Sequence, residues 1–159
     1  MANKNEEVFI SRIVDAPREL VFQAWTDPEE LEKWFAPKGC TIHFSRIEIR
    51  EGGTFHSVIK NPAYKDCWCI GTYLEIVEPE RIVFTMAIAD EAGNLVTPAE
   101  AGMDPAWPTE TTVTVTFGAM GDKTAFTLHQ TVNETLAKHT GAYPSWLEML
   151  DILEASLNK

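Results

Sequence analysis

The amino-acid sequence predicts an α+β fold: a curved antiparallel sheet of about seven strands wrapped on a long C-terminal helix, with two short helices after the first strand. Three observations carry that expectation. The run Thr112-Val113-Thr114-Val115-Thr116-Phe117 alternates polar and apolar residues, as a strand with one buried face requires. Further period-two segments lie on either side of it, separated by turn residues that suit antiparallel hairpins. One long helical stripe is available to cover the apolar face of such a sheet. It comprises Tyr143, Trp146, Leu150, Leu153 and Leu157, spaced alternately three and four apart.

The elements follow in order. Val8 to Val14 reads as the first strand, and Asp15-Ala16-Pro17 supplies a capping residue and a proline where a helix can begin. Val21, Ala24 and Trp25 share one face of that helix. Asp27-Pro28-Glu29-Glu30 repeats the signal, with aspartate as cap, proline at the first helical position and an acid at the third, a variant of the capping box. Leu31, Trp34 and Phe35 give this second helix its apolar face, and Pro37 with Gly39 ends it. From Thr41 the period changes to two, with Ile42, Phe44 and Arg46 alternating with His43, Ser45 and Ile47 until Glu51-Gly52-Gly53 turns the chain.

Phe55, Ser57 and Ile59 share one face of the next strand. Beyond the loop at Asn61-Pro62-Ala63 come strands from Cys67 to Val77 and from Ile82 to Ala89, joined by Glu78-Pro79-Glu80-Arg81. After Phe117 the turn Gly118-Ala119-Met120-Gly121-Asp122 leads into Thr124 to Val132, where Phe126 and Leu128 take one face and Thr127 and His129 the other. A short helical lead-in capped by Asn133 runs through Lys138. The final helix, about Tyr143 to Leu157, is roughly 22 Å long at ~1.5 Å per residue, enough to cross a sheet. The stretch from Asp90 to Pro108 shows no periodicity, and loops beyond about 12 to 15 residues are often functional lids, so it is a candidate pocket cover.

A chain of 159 residues suits one domain, and residues 1–159 are expected to form it. Hydrophobic residues make up 45% and charged residues 23%, both near globular averages, and no stretch approaches the roughly 18 to 20 apolar residues that span a bilayer. Met1 to Glu7 is polar with no apolar h-region, so a cytoplasmic location is expected. Thirteen basic against twenty-four acidic residues leave a net charge of −11, which repels phosphate backbones and anionic membrane surfaces. Neither a nucleic-acid partner nor membrane insertion is expected. Cys67 and Cys69 on one strand would hold their Cα atoms roughly 6.5 to 7 Å apart, at or beyond an unstrained bridge, so free thiols are expected there and at Cys40. His43, His56, His129, Cys67 and Cys69 offer no His-x-x-x-His or Cys-x-x-Cys spacing, and neither metal nor cofactor is implied.

Several runs carry a family resemblance. Ile13-Val14-Asp15-Ala16-Pro17, Val21-Phe22-Gln23-Ala24-Trp25-Thr26-Asp27-Pro28-Glu29-Glu30-Leu31 and Lys33-Trp34-Phe35-Ala36-Pro37 are followed in register by Gly52-Gly53-Thr54-Phe55, Gly71-Thr72-Tyr73-Leu74-Glu75-Ile76, Glu78-Pro79-Glu80-Arg81-Ile82-Val83-Phe84-Thr85 and Lys123-Thr124-Ala125-Phe126-Thr127-Leu128. Together they resemble the bacterial activator-of-heat-shock-protein-90-ATPase-like family of the START-like (SRPBCC, birch-pollen-allergen-like) superfamily. The resemblance implies the helix-grip fold. It also implies a stress-linked chaperone partner, against which counts the want of a separate amino-terminal docking domain. That superfamily hosts carriers, hormone-binding proteins, cyclases and co-chaperone domains, so the fold does not itself name a function. Family members often open the final helix with Gly-Trp; here the chain reads Ala142-Tyr143-Pro144-Ser145-Trp146.

A sheet that grips a helix along its length can leave a cavity lined by both. The candidate ligand-binding side chains are Trp34 and Phe35 from the early helices and Phe55, Ser57, Tyr73, Phe84 and Met86 from the middle strands. Trp107 on the long loop, Phe117 and Phe126 on the late strands, and Trp146 and Leu150 on the last helix complete the set. Each of these is also an ordinary core residue. The expected ligand is a small hydrophobic or aromatic molecule. The alternatives are a chaperone-binding module and a cyclase or hydrolase acting in the cavity. No catalytic residue is assigned: Glu75 shares strand parity with Tyr73 and could act as an acid if it points inward, yet Arg81 lies within reach as an ion-pair partner.

Overall fold

A computed structural model of the chain describes residues 6–63 and 65–157; the start of the polar segment Met1 to Glu7 lies outside them. Seven strands, β1 (Glu7–Val14), β2 (Thr41–Ile47), β3 (Thr54–Lys60), β4 (Cys67–Val77), β5 (Arg81–Ala89), β6 (Glu110–Met120) and β7 (Lys123–Asn133), form one sheet. Its spatial order is β1-β7-β6-β5-β4-β3-β2, and every neighbouring pair is antiparallel. Four helices, α1 (Arg18–Thr26), α2 (Pro28–Trp34), α3 (Glu134–Thr140) and α4 (Ala142–Leu157), complete the fold. The element order is the one the sequence predicts.

Local chemistry explains where the boundaries move. Asp15 does not cap α1: Pro17 holds the cap position with extended backbone, and its carbonyl receives the N–H groups of Leu20 and Val21. Asp27 does cap α2, its carboxylate accepting from Glu29 N at 2.9 Å with Pro28 next in line. The capping box is not closed, because Asp27 N already donates to Gln23 O at 3.0 Å; Glu30 turns instead to Lys33 Nζ at 2.6 Å. Gly118 to Met120 belong to β6 rather than to a turn. Met120 pairs with Lys123 across Gly121-Asp122, and Gly121 supplies the positive φ, 62°, that so tight a reversal needs.

α4 lies along the concave face and buries Trp146, Met149, Leu150 and Leu153, while Tyr143 and Leu157 of the predicted stripe are only half-buried. Gly141, at φ 92°, ends α3 and lets the chain turn directly into α4. Arg12 on β1 fastens the helix to the sheet edge, donating to Asp151 Oδ1 at 2.9 Å and Glu154 Oε1 at 3.1 Å. Thr124 Oγ1 donates to Ala16 O at 2.7 Å, tying the entry of α1 to the start of β7.

Phe55 lies over β4 at Gly71, where there is no side chain to exclude it. A Cβ there would sit 2.0 Å from Thr85 O and 2.4 Å from the Phe55 ring. Gly71→Ala is therefore expected to cost about 1–3 kcal/mol through overpacking, read as a lower urea midpoint with an unchanged slope.

Candidate functional site

The space between sheet and helices is divided into two unlike halves. One is filled by aromatic rings. Trp25 of α1 packs against Trp34 at a centroid distance of 4.7 Å and also touches Phe35, Phe84, Phe117, Phe126 and Trp146. What remains open in this half is about 20 Å³ beside Trp25, Phe35, Phe44, Phe55, Tyr73 and Phe84, space for about one water molecule. Burial pushes the Tyr73 phenol well above its ordinary range, so it stays a neutral O–H. Trp25 Nε1 is the sole fully buried side-chain nitrogen or oxygen without a hydrogen-bond partner among the described residues.

The other half is open. A cavity of about 130 Å³ is walled by Phe55, Ser57 and Ile59 of β3, Cys67 and Cys69 of β4, Met86, Ala87 and Ile88 of β5, Thr111 of β6 and Gln130 of β7. Phe35 closes it from the helix side, and Met103 and Trp107 from the loop between β5 and β6. Strand register accounts for the grouping: Ser57 lies opposite Cys69, Cys69 opposite Ile88, and Met86 opposite Thr111. For scale, an apolar protein cavity of about 150 Å³ accommodates benzene.

A polar relay runs along one wall. Trp146 Nε1 donates to Gln130 Oε1 at 2.9 Å, and Gln130 Nε2 donates to Thr111 Oγ1 at 3.0 Å. All three side chains are at least 95% buried. Ser57 is 3% exposed and has no side-chain partner among the described residues. The Cys69 thiol is pushed up to about 12, mainly by burial, so at neutral pH it is a protonated wall group and not a nucleophile.

Outside the cavity a wider groove of about 520 Å³ is bounded by Lys65, Asp66, Trp68, Asp90, Glu91, Glu100 and neighbouring residues. Cys67, Ile88 and Met103 line both spaces, so the groove adjoins the cavity. The loop from Asp90 to Pro108 is built of successive turns. Asp90 Oδ1 accepts from Asn94 N at 2.8 Å, Leu95 forms a bridge with Ala89, and Thr97 and Glu100 cap each other. His56 anchors the loop to the outer face of the sheet, with Nε2 3.1 Å from Asp90 O and Nδ1 2.9 Å from Ser45 Oγ.

Of the twelve predicted lining residues, Phe35, Phe55, Ser57, Met86 and Trp107 surround the larger cavity, while Tyr73 and Phe84 face the small aromatic one. Trp34, Phe117, Phe126, Trp146 and Leu150 line neither and lie within the packed core. Cys67, Cys69, Ile59, Ile88, Met103, Thr111 and Gln130 are wall residues that aromatic patterning does not single out. Strand parity could have found six of them: Ile59 shares a face with Phe55 and Ser57, Cys67 and Cys69 with Tyr73, Ile88 with Met86, Thr111 with Phe117 and Gln130 with Phe126. Glu75 does not point inward: a register shift between Tyr73 and Glu75 turns it out to Arg81, whose Nε donates to it at 2.6 Å. His129 faces outward, with Nε2 2.8 Å from Glu7 Oε1. The three cysteines are free thiols.

The seven-stranded antiparallel sheet and the long C-terminal helix it grips together define a helix-grip protein of the START-like class. Solved structures of bacterial proteins share this fold over nearly their whole length. One from Chromobacterium violaceum is 23% identical with a TM-score of 0.79, covering 98% of this chain and 99% of that one. Another, from Nitrosomonas europaea, is 25% identical with a TM-score of 0.77, covering 99% and 97%. The AHSA1 protein of Silicibacter pomeroyi is 17% identical with a TM-score of 0.73, covering 96% and 97%. Residues 15–158 match the family described as activator of Hsp90 ATPase homolog 1-like protein, and the chain belongs to that family. No curated protein matches it.

The elevated Cys69 value gives a direct test. Because burial holds the Cys69 thiol protonated, alkylation by iodoacetamide in the native protein should be slow at pH 8 and should accelerate steadily as the pH is raised. Mass-spectrometric labelling that is fast at pH 8 and flat with pH would show the thiol is not held as described.

Proposed function

We propose that the protein binds a small hydrophobic or aromatic molecule in the cavity between the sheet and the helices. The observation that carries this reading is the space of about 130 Å³ walled by Phe35, Phe55, Ile59, Met86, Met103 and Trp107. A ring entering it gains aromatic, sulfur and aliphatic contacts on several sides, and its desolvation supplies the driving force. The groove of about 520 Å³ adjoining it falls within the usual size range of ligand sites and gives room for a substituent. The Asp90–Pro108 loop serves as the cover, since Met103 and Trp107 close the cavity from that side.

Chaperone ATPase activation is a second reading, favoured by family membership. A stimulation assay with purified Hsp90 decides it: unchanged ATP turnover at saturating protein removes this reading and leaves the first untouched.

Native mass spectrometry of freshly purified protein, followed by solvent extraction, tests the first. A hydrophobic molecule at one per chain is the expected result, either co-purified or taken up from a metabolite extract. Ser57→Phe places a ring inside the cavity and should abolish that uptake by at least tenfold while circular dichroism stays native. Retained uptake in a folded Ser57→Phe protein would place the ligand elsewhere.

A further inference from the structure

The relay at the cavity wall has a direction that its chemistry imposes. An indole N–H can only donate, so Trp146 must face the amide oxygen of Gln130, and the Gln130 NH₂ must then face Thr111. Thr111 Oγ1 is thereby an acceptor. Its own hydrogen finds no acceptor among the described residues, and the second N–H of Gln130 is likewise unspent. Thr111, Gln130 and Ser57 all line the cavity and are 3%, 4% and 3% exposed. Ser57 adds a hydroxyl with no side-chain partner among the described residues. The Thr111 hydrogen and the second Gln130 N–H therefore have nothing to receive them, and a buried unspent donor is costly where a carbonyl oxygen with one bond is not, while the Ser57 hydroxyl can either donate or accept.

Charge narrows the chemistry further. No lining residue of the cavity is charged, so an anion would lose its hydration there without a counter-ion. The adjoining groove carries four carboxylates, Asp66, Asp90, Glu91 and Glu100, against the single ammonium of Lys65, a local field that disfavours anions nearby.

Resting on the ligand-binding reading above, we infer that the ligand is a neutral, single-ring-sized molecule bearing a hydrogen-bond acceptor, such as a ketone, ester, lactone or quinone oxygen. Its ring lies against Phe55, Met86 and Trp107. Its oxygen accepts from the Thr111 hydroxyl, with Gln130 and Ser57 beside it. Trp146 and Gln130 act as positioning residues, since they fix which way the Thr111 hydrogen points without themselves being required to touch the ring.

Calorimetric titration with three probes of similar size tests this: ethylbenzene, acetophenone and benzoate. Acetophenone should bind about five- to tenfold more tightly than ethylbenzene, the worth of one hydrogen bond, and benzoate should bind more weakly than either. Thr111→Val should remove the preference while leaving ethylbenzene affinity unchanged, and Thr111→Ser should keep it. Should Thr111→Val fail to fold, the wild-type comparison is decisive alone. Equal affinity for the two neutral probes overturns the acceptor inference but leaves hydrophobic binding standing. Tightest binding of benzoate overturns the neutrality. If no probe binds although native mass spectrometry finds a bound hydrophobe, the single-ring inference is overturned alone; if neither finds binding, the ligand-binding reading falls with it.

Discussion

The arrangement depends on Trp25. A helix resting on a sheet leaves a gap of about 10 Å between backbones, and only large side chains can span it. Trp25 does so from α1, reaching rings on α2, β5, β6, β7 and α4. By filling one half of the gap to near solidity it forces any remaining space to the other half, where β3, β4 and the long loop meet. Its indole N–H is left without a partner, a cost of about 1–3 kcal/mol that the surrounding aromatic contacts offset. The cavity is thus what remains where no comparable ring projects.

The two halves differ in chemistry as well as in filling. The solid half is wholly aromatic and aliphatic. The open half mixes rings with sulfur atoms from Cys67, Cys69, Met86 and Met103 and with the relay from Trp146 through Gln130 to Thr111. Polarisable sulfur adapts to varied shapes, whereas the relay is fixed in orientation by its donor-only end. An adaptable wall facing a fixed polar wall discriminates by hydrogen bonding more than by outline.

Period-two patterning made the sheet legible in the sequence, because an antiparallel strand with one wet face must alternate; Val113, Val115 and Phe117 inside and their threonines outside are the plainest case. The Asp27-Pro28 start of α2 was equally plain, since its cap is local chemistry. The cavity was less legible. Phe117 and Phe126 read as wall residues from their face, yet whether an inward ring packs or lines depends on what stands across from it, here Trp25. Parity put Gln130 and Thr111 on the inward face with Phe126 and Phe117, but their role was not legible: it comes from Trp146, sixteen residues beyond Gln130 and on another element. Glu75 was ambiguous until the register shift at Leu74 turned it outward, and single-residue shifts leave no mark in the alternation before them.

Strand order also sets a timetable. β1 lies between solvent and β7, with Val8 paired to Gln130 and Val14 to Thr124, so the strand synthesised first can pair only with one of the last. At roughly 5–20 residues per second the ribosome leaves β1 without its neighbour for about ten seconds. During that interval Phe9 and Ile13, which remain half-exposed even in the finished fold, sit on an unpaired strand edge. The hairpins from β2 to β6 are local and can form meanwhile, so closure of the sheet by β1 and docking of α4 are left as the late, slow events of a high-contact-order topology.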